Sequence, residues 1–128
     1  MKNSRSKGST GWSVDLRIDW LPKINTSATR RHWSYHHREN QKWNTLLKAE
    51  LERAGLPDNA PLEKAKIVCY RCSSREPDFE NLVMGFKGAI DQLVHLGVLV
   101  DDNPRVLERE YRWEKSQKGH VRFTISEG

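Results

Sequence analysis

Long apolar runs are missing from this 128-residue chain. No stretch approaches the roughly 18 residues that a membrane-crossing helix needs, and the opening MKNSRSKGSTGW lacks the apolar block of a secretory leader. A membrane protein is therefore not expected. Cysteine is nearly absent too, with only Cys69 and Cys72. Two cysteines cannot build a disulfide framework, and the expectation is a protein of a reducing, cytoplasmic compartment. Internal repeats are lacking. Apolar residues make up only 36% of the chain and the mean hydropathy is −0.82, low values for a folded protein. Five tryptophans and regularly spaced aliphatic residues nevertheless exclude global disorder.

The length suits one domain with a single core. Residues 1–12 are rich in Lys, Ser and Gly without periodicity and read as a flexible tail, which leaves 13–128 as the domain. Val14, Leu16, Ile18 and Trp20 alternate with Asp15, Arg17 and Asp19, the period of a half-buried strand ended by Leu21-Pro22. After a loop over 23–31, Trp43, Leu46, Leu47, Leu51 and Ala54 recur at helical spacing from about Ser34, and Gly55 with Pro57 supplies the stop. Residues 64–72 read as a second strand. A second helix is expected after Pro77, with Leu82, Phe86, Ala89, Ile90, Leu93 and Leu96 as one apolar stripe and Gly97 closing it. A short strand over 98–100, a turn over 101–104 and a hairpin of 107–113 with 121–125 complete the order. The fold class implied is α+β: two layers, a mixed β-sheet and two main helices.

The formal charge of +5 comes from 22 Lys and Arg against 17 Asp and Glu, and it favours a polyanionic partner. It is unevenly spread. Between 27 and 48, Arg30, Arg31, Arg38, Lys42 and Lys48 stand against Glu39 alone, with His32, His36 and His37 among them and Trp33, Tyr35 and Trp43 interleaved. Such a stretch can neutralise phosphates while offering rings to sugars or unstacked bases. It also reads as a solvated basic helix face with Trp43 in the core. Between 73 and 102 the balance reverses, because Glu76, Asp78, Glu80, Asp91, Asp101 and Asp102 outnumber Arg75 and Lys87. An acidic patch in a nucleic-acid-binding chain repels the phosphate backbone unless a divalent cation lies between them.

Asp78 and Glu80 are two residues apart at the entry to the second helix, and an extended junction turns both side chains toward one point. The return strand can bring Asp101 or Asp102 back to the same helix end. Hard oxygen ligands so grouped suit Mg²⁺, which keeps several waters and accepts phosphate oxygens. Lys87, seven residues after Glu80, falls two turns along the same face of a continuous helix, where its ammonium can position a water or balance charge at a phosphate. Each residue has a structural reading beside the chemical one. Asp78 suits an N-cap, carboxylates in a first turn complement the helix dipole, Asp101-Asp102-Asn103-Pro104 is a turn by composition, and Lys87 can pair with Asp91.

The segment PDFENLVMGFKGAIDQLVHLGVLVDDNPRV, residues 77–106, resembles the signature of the RusA-type Holliday-junction resolvases. In that signature an acidic pair followed by Asn-Leu opens a helix, a Lys and an Asp-x-Leu follow, and a Gly leads to an Asp-Asp pair. The resemblance implies a RusA-like fold and a Mg²⁺-dependent (or Mn²⁺-dependent) homodimeric endonuclease that cuts two symmetry-related strands of four-way DNA junctions. It implies no small-molecule cofactor and a bacterial or prophage setting. Carried over by position, Asp78, Glu80 and Asp102 are the metal ligands and, with Lys87, the catalytic residues; the basic stretch read above supplies the expected DNA-binding set, Arg30, Arg31, His32, Arg38 and Lys42. Two departures stand out. Glu80 occupies a position where Asp is usual, and Lys87 lies about one helical turn later than in the shortest members, where Met84 now stands. Two other functions are compatible with the same residues: a branched-DNA-binding module without catalysis, and a nuclease that prefers flap or fork DNA.

Cys69-x-x-Cys72 is half of a zinc pattern that His32 and His36 would complete in number, but a strand sends two such sulfurs to opposite faces, which favours simple packing. Gly85 and Gly88 cost the second helix about 1 kcal/mol each relative to Ala, and they permit close approach of another helix or of DNA.

Overall fold

The computed structural model describes residues 12–22 and 33–128, with the backbone alone for 33–36. Among these described residues seven elements follow in chain order: β1 (Ser13–Ile18), α1 (Trp33–Ala54), β2 (Ala65–Ser73), α2 (Phe79–Gly85), α3 (Lys87–His95), β3 (Leu107–Lys115) and β4 (His120–Glu127). The four strands form one mixed sheet in the order β1-β4-β2-β3, antiparallel at the first two junctions and parallel between β2 and β3. The architecture is the expected α+β fold in two layers. No helix among the described residues is long and apolar enough to cross a membrane.

Alternation along the strands builds the core. Leu16, Phe123, Cys69 and Tyr111 form one cross-strand row on the helix-facing side. Above it pack Trp43, Leu47 and Leu51 of α1, Ala89, Ile90 and Leu93 of α3, and Phe86 between the two short helices, all buried. The other side of the sheet is polar, as expected for a sheet with one solvated face. There Lys66 pairs with Glu108 and Glu110 at 3.7 and 3.5 Å, Arg112 pairs with Glu110, and Arg122 pairs with Glu114 while stacking over the Tyr70 ring. Gly55 closes α1 as expected: its φ of +88° is one that L side chains rarely adopt, and its N–H donates to the Leu51 carbonyl at 2.7 Å.

Three elements differ from the sequence expectation. The last two strands are not a hairpin, because β2 lies between them and pairs with both. Residues 116–119 instead pass over the end of β2, where the Ser116 N–H donates to the Ser73 carbonyl at 3.0 Å. A polar, Gly-bearing connection looks the same locally in either topology, and the pairing is decided by β2, whose buried positions are best satisfied in the middle of the sheet. Residues 98–100 make a single parallel bridge, Leu62 to Leu99, rather than a strand. Val98 and Leu99 are buried there, so apolar packing rather than a ladder explains their composition.

The third difference bears on the site. The expected second helix breaks at Phe86, whose φ and ψ of −103° and −1° separate α2 from α3. Its ring is held 5.5 Å from Phe123, 6.1 Å from Tyr111 and 6.4 Å from Trp43, centroid to centroid. Flanking glycines at 85 and 88 lower the cost of interrupting the helix. Gly88 also explains how α3 reaches α1: a Cβ there would lie 2.6 Å from Asn40 Oδ1 and 3.0 Å from Trp43 Cδ1. Without a side chain, the two helices cross closely at that point.

Candidate metal and nucleic-acid site

Asp78 is the N-cap of α2, with extended backbone at φ −68° and ψ 162°. Its Oδ1 accepts the Asn81 N–H at 2.9 Å and its Oδ2 accepts the Asn81 side-chain amide at 3.1 Å. Asn81 thus engages both carboxylate oxygens. The extended junction expected to turn Asp78 and Glu80 together ends at Asp78, since α2 begins at Phe79 and Glu80 already lies in its first turn. Residues two apart on a helix do not face each other. The Glu80 carboxylate is exposed and has no partner among the described residues.

The second acidic segment is organised differently. Asp101 is bound within its own turn, Oδ1 accepting the Asp102 N–H at 2.7 Å and Oδ2 accepting the Asn103 amide at 2.8 Å. These hydrogen bonds, the backbone one foremost, hold its carboxyl below the usual aspartate range. Among the described residues the Asp102 side chain meets only that of Asp101, so Asp102 is less committed than Asp101, which two N–H groups engage. The Asp102 backbone carbonyl is fixed instead, accepting from Arg109 Nη2 at 2.9 Å.

Strand β3 links the two segments. Arg109 holds the Asp102 carbonyl, and Tyr111, the next residue on the same face, meets the Phe79 ring edge-on at 6.4 Å between centroids. Phe79 is 65% exposed and follows the cap directly, so this contact ties the start of α2 to β3. Positions 109 and 111 are one pleat repeat, about 7 Å, apart. Burial raises the Tyr111 hydroxyl above its ordinary pKa. Asn81, Phe79, Arg109 and Tyr111 were not singled out in the sequence as site residues. The first carries a signal, an amide at the third helical position that can reach back to the cap. The two strand residues carry none, because β3 has charged side chains on both faces.

The two segments become neighbours, but their carboxylates do not converge. Among the described residues, no three or more His, Cys, Asp or Glu side chains are grouped so that they could hold one metal ion. By donor chemistry Glu80 and Asp102 do fit Mg²⁺, which is often held by one or two carboxylates with waters and phosphate completing the shell. Lys87 starts α3 beyond the break, so the seven-residue periodicity relating it to Glu80 does not apply. Its ammonium lies 3.9 Å from Asp91, a long and exposed pair.

Of the proposed DNA-binding set, Arg30, Arg31 and His32 lie outside the described residues. Arg38 and Lys42 are exposed and one helical turn apart on α1. Lys42 Nζ stands 5.4 Å over the Trp20 ring, which meets Trp43 edge-on. Trp43 itself is fully buried, so it belongs to the core and is not available to stack on a base. Cys69 packs in the core, where burial pushes its thiol far above the ordinary range, and Cys72 points to the other face toward Glu114 at 3.9 Å. The two sulfurs therefore do not share a ligand.

Compared with known proteins, the sequence matches no family model and no curated protein.

Proposed function

We propose that the chain is a Mg²⁺-dependent endonuclease that resolves four-way DNA junctions as a homodimer. One observation carries this reading: the two acidic segments of the motif, distant in sequence, are fastened to successive same-face residues of β3, and each keeps one carboxylate, Glu80 and Asp102, with no cationic or amide partner among the described residues. A turn or a helix cap would not by itself need the other segment beside it.

Asp78, Glu80 and Asp102 would hold Mg²⁺, or Mn²⁺ in its place. When bound, such an ion supplies Lewis-acid activation of a phosphodiester and of water. Asn81 fixes the Asp78 carboxylate, and Arg109 fixes the Asp102 backbone. An exposed pair like Lys87–Asp91 is weak, so little opposes the Lys87 ammonium turning to a phosphate oxygen and balancing the charge that develops there. Arg38 and Lys42, with Arg30, Arg31 and His32, would grip the backbone. Two symmetric cuts call for two copies of the site, hence the homodimer.

A second reading, a junction-binding module without catalysis, is favoured by Asp78 having both oxygens engaged and by the three carboxylates standing apart. One gel separates the readings. Four-way, three-way, flap and linear duplex DNA are incubated with the protein, with and without Mg²⁺. Paired cuts in the four-way junction only with Mg²⁺ support the proposal, and preferred cutting of flaps redirects it. Salt-sensitive binding with no product under any metal condition overturns catalysis.

A further inference from the structure

Beside the acidic site, α1 and α3 run side by side in the same direction: Gly88 lies against Asn40 and Trp43, Gln92 against Asn44, and Leu96 near Lys48 and Leu51. The space between the helices changes character along its length. Toward the C-terminal ends it is an apolar hollow floored by Leu51, Leu56 and Leu96. Toward Lys87 it becomes an open groove of about 640 Å³ whose walls include Asn40, Gln41, Asn44, Thr45, Gln92 and His95. Four of these are carboxamides. Asn44 donates to Gln92 Oε1 at 2.8 Å, which bridges the groove and leaves the Asn44 carbonyl and the Gln92 amide N–H groups uncommitted.

Carboxamides present a donor and an acceptor side by side and carry no charge. They are poor at gripping phosphate, which favours Lys and Arg, and well matched to base edges, where Asn and Gln make paired hydrogen bonds to adenine. None of Arg38, Lys42 and Lys87 lines the groove, but Arg38 lies one turn from Gln41 on the same helix and Lys87 opens the helix that carries Gln92, so a strand held by those two cations can pass the amides. The geometry points to a base-reading groove: Gln41, Asn44, Gln92 and their neighbours hydrogen-bond the edges of bases near the branch point and set which junction sequences are preferred. This rests on the proposed DNA-junction activity and assigns its sequence selectivity to a surface separate from both the phosphate-gripping cations and the acidic segments.

The test uses the full chain without divalent metal, so that binding is read apart from cleavage. Fluorescent four-way junctions that differ only in the base pairs at the branch are titrated at two salt concentrations. The wild-type chain is expected to bind the best and worst sequences with affinities about 10-fold apart, within the range paired base contacts confer. Gln41→Ala with Gln92→Ala should shrink that spread to about 2-fold while leaving the salt dependence unchanged. Arg38→Ala with Lys42→Ala should weaken every sequence alike and reduce the salt dependence. Gln41 is exposed, so Gln41→Glu alone is a variant that retains the fold, and it should move the preference toward cytosine, whose amino group a carboxylate accepts. A wild-type chain that binds junctions without sequence preference, or amide variants that keep the wild-type spread, would overturn the base-reading groove and leave the junction activity standing. A chain that binds no junction at all overturns both.

Discussion

The two acidic segments of this molecule carry the same functional group and use it in opposite ways. Asp78 is committed at both oxygens, since as the helix cap it accepts from the Asn81 backbone and side chain. Asp102 is fastened through its carbonyl, and the capping work in its turn falls to Asp101. A carboxylate that stabilises a helix end resists redirection toward a cation, because leaving the cap exposes a backbone N–H. One that is anchored through its backbone keeps more of its ligating capacity. The difference makes Asp102 the better-prepared ligand and makes Asn81 the residue that decides how available Asp78 is.

The largest effect that could break this contrast is on cleavage. Asp102→Asn should lower Mg²⁺-dependent junction cutting by at least about 100-fold, since even groups that only support a metal ligand are worth 10- to 100-fold. Junction binding and the melting temperature should hold, because the contact of that exposed side chain with Asp101 joins two like charges and an amide there costs little. A melting temperature that falls with activity would show the carboxylate to be structural after all. Next in size is Asn81→Ala, which keeps the backbone cap bond and removes only the side-chain amide's bond to Oδ2; it is expected to reduce cutting by about 10-fold while lowering stability by about 0.5 kcal/mol, the low end for one hydrogen bond. If Asp78 is purely a cap, Asn81→Ala would lower stability and leave cutting per folded molecule unchanged.

A smaller effect separates the two uses of Asp78 itself. Asn caps helices about as well as Asp, whereas Ala does not cap. Asp78→Asn should therefore keep stability within a few tenths of a kcal/mol, and Asp78→Ala should lose about 1 kcal/mol in urea unfolding. Equal stability of the two variants would mean that the hydrogen bonds from Asn81 contribute nothing to the fold. Both should cut junctions poorly if the carboxylate ligates metal.

How far the sequence could be read follows from which forces are local. Strand β1, helix α1 and strand β2 were legible to within a residue or two because each is written in its own period and stops: Leu16 and Ile18 against Arg17, Trp43 and Leu47 and Leu51 at helical spacing, Gly55 at a positive φ. The hairpin expected at the C-terminus failed because pairing is settled by a third strand far upstream, Ala65 lying opposite Leu107, and no turn residue at 116–119 encodes that. The helix break failed for a similar reason, since Phe86 looks like one more stripe residue until Trp43, Tyr111 and Phe123 close around it. In the candidate site, the spacing argument failed where the structure bears on it, because α2 begins at Phe79 and breaks at Phe86, so neither Asp78 with Glu80 nor Glu80 with Lys87 shares the expected face. The tethers of the acidic segments were not legible either, because Arg109 and Tyr111 are indistinguishable in sequence from the other polar residues of an edge strand.

The least of the expected effects tests the other half of the contrast, the turn that leaves Asp102 less committed. Asp101 has its folded pKa held below its unfolded value of about 3.9 by the Asp102 N–H and the Asn103 amide. A group depressed on folding contributes stability that is complete above its unfolded pKa and lost as pH falls through the folded one. Replacing it with Asn keeps an acceptor for the Asp102 N–H but turns a donor, or removes an acceptor, toward the Asn103 amide. The wild-type chain should thus exceed Asp101→Asn in stability by a small constant margin from neutral pH down to about pH 4, and the margin should close below that. Chemical denaturation of both chains across pH 2 to 7 reads this directly. A margin that stays flat through the acid range would mean that the Asp101 hydrogen bonds do not depend on its charge, and the turn would then not account for the less committed state of the neighbouring carboxylate.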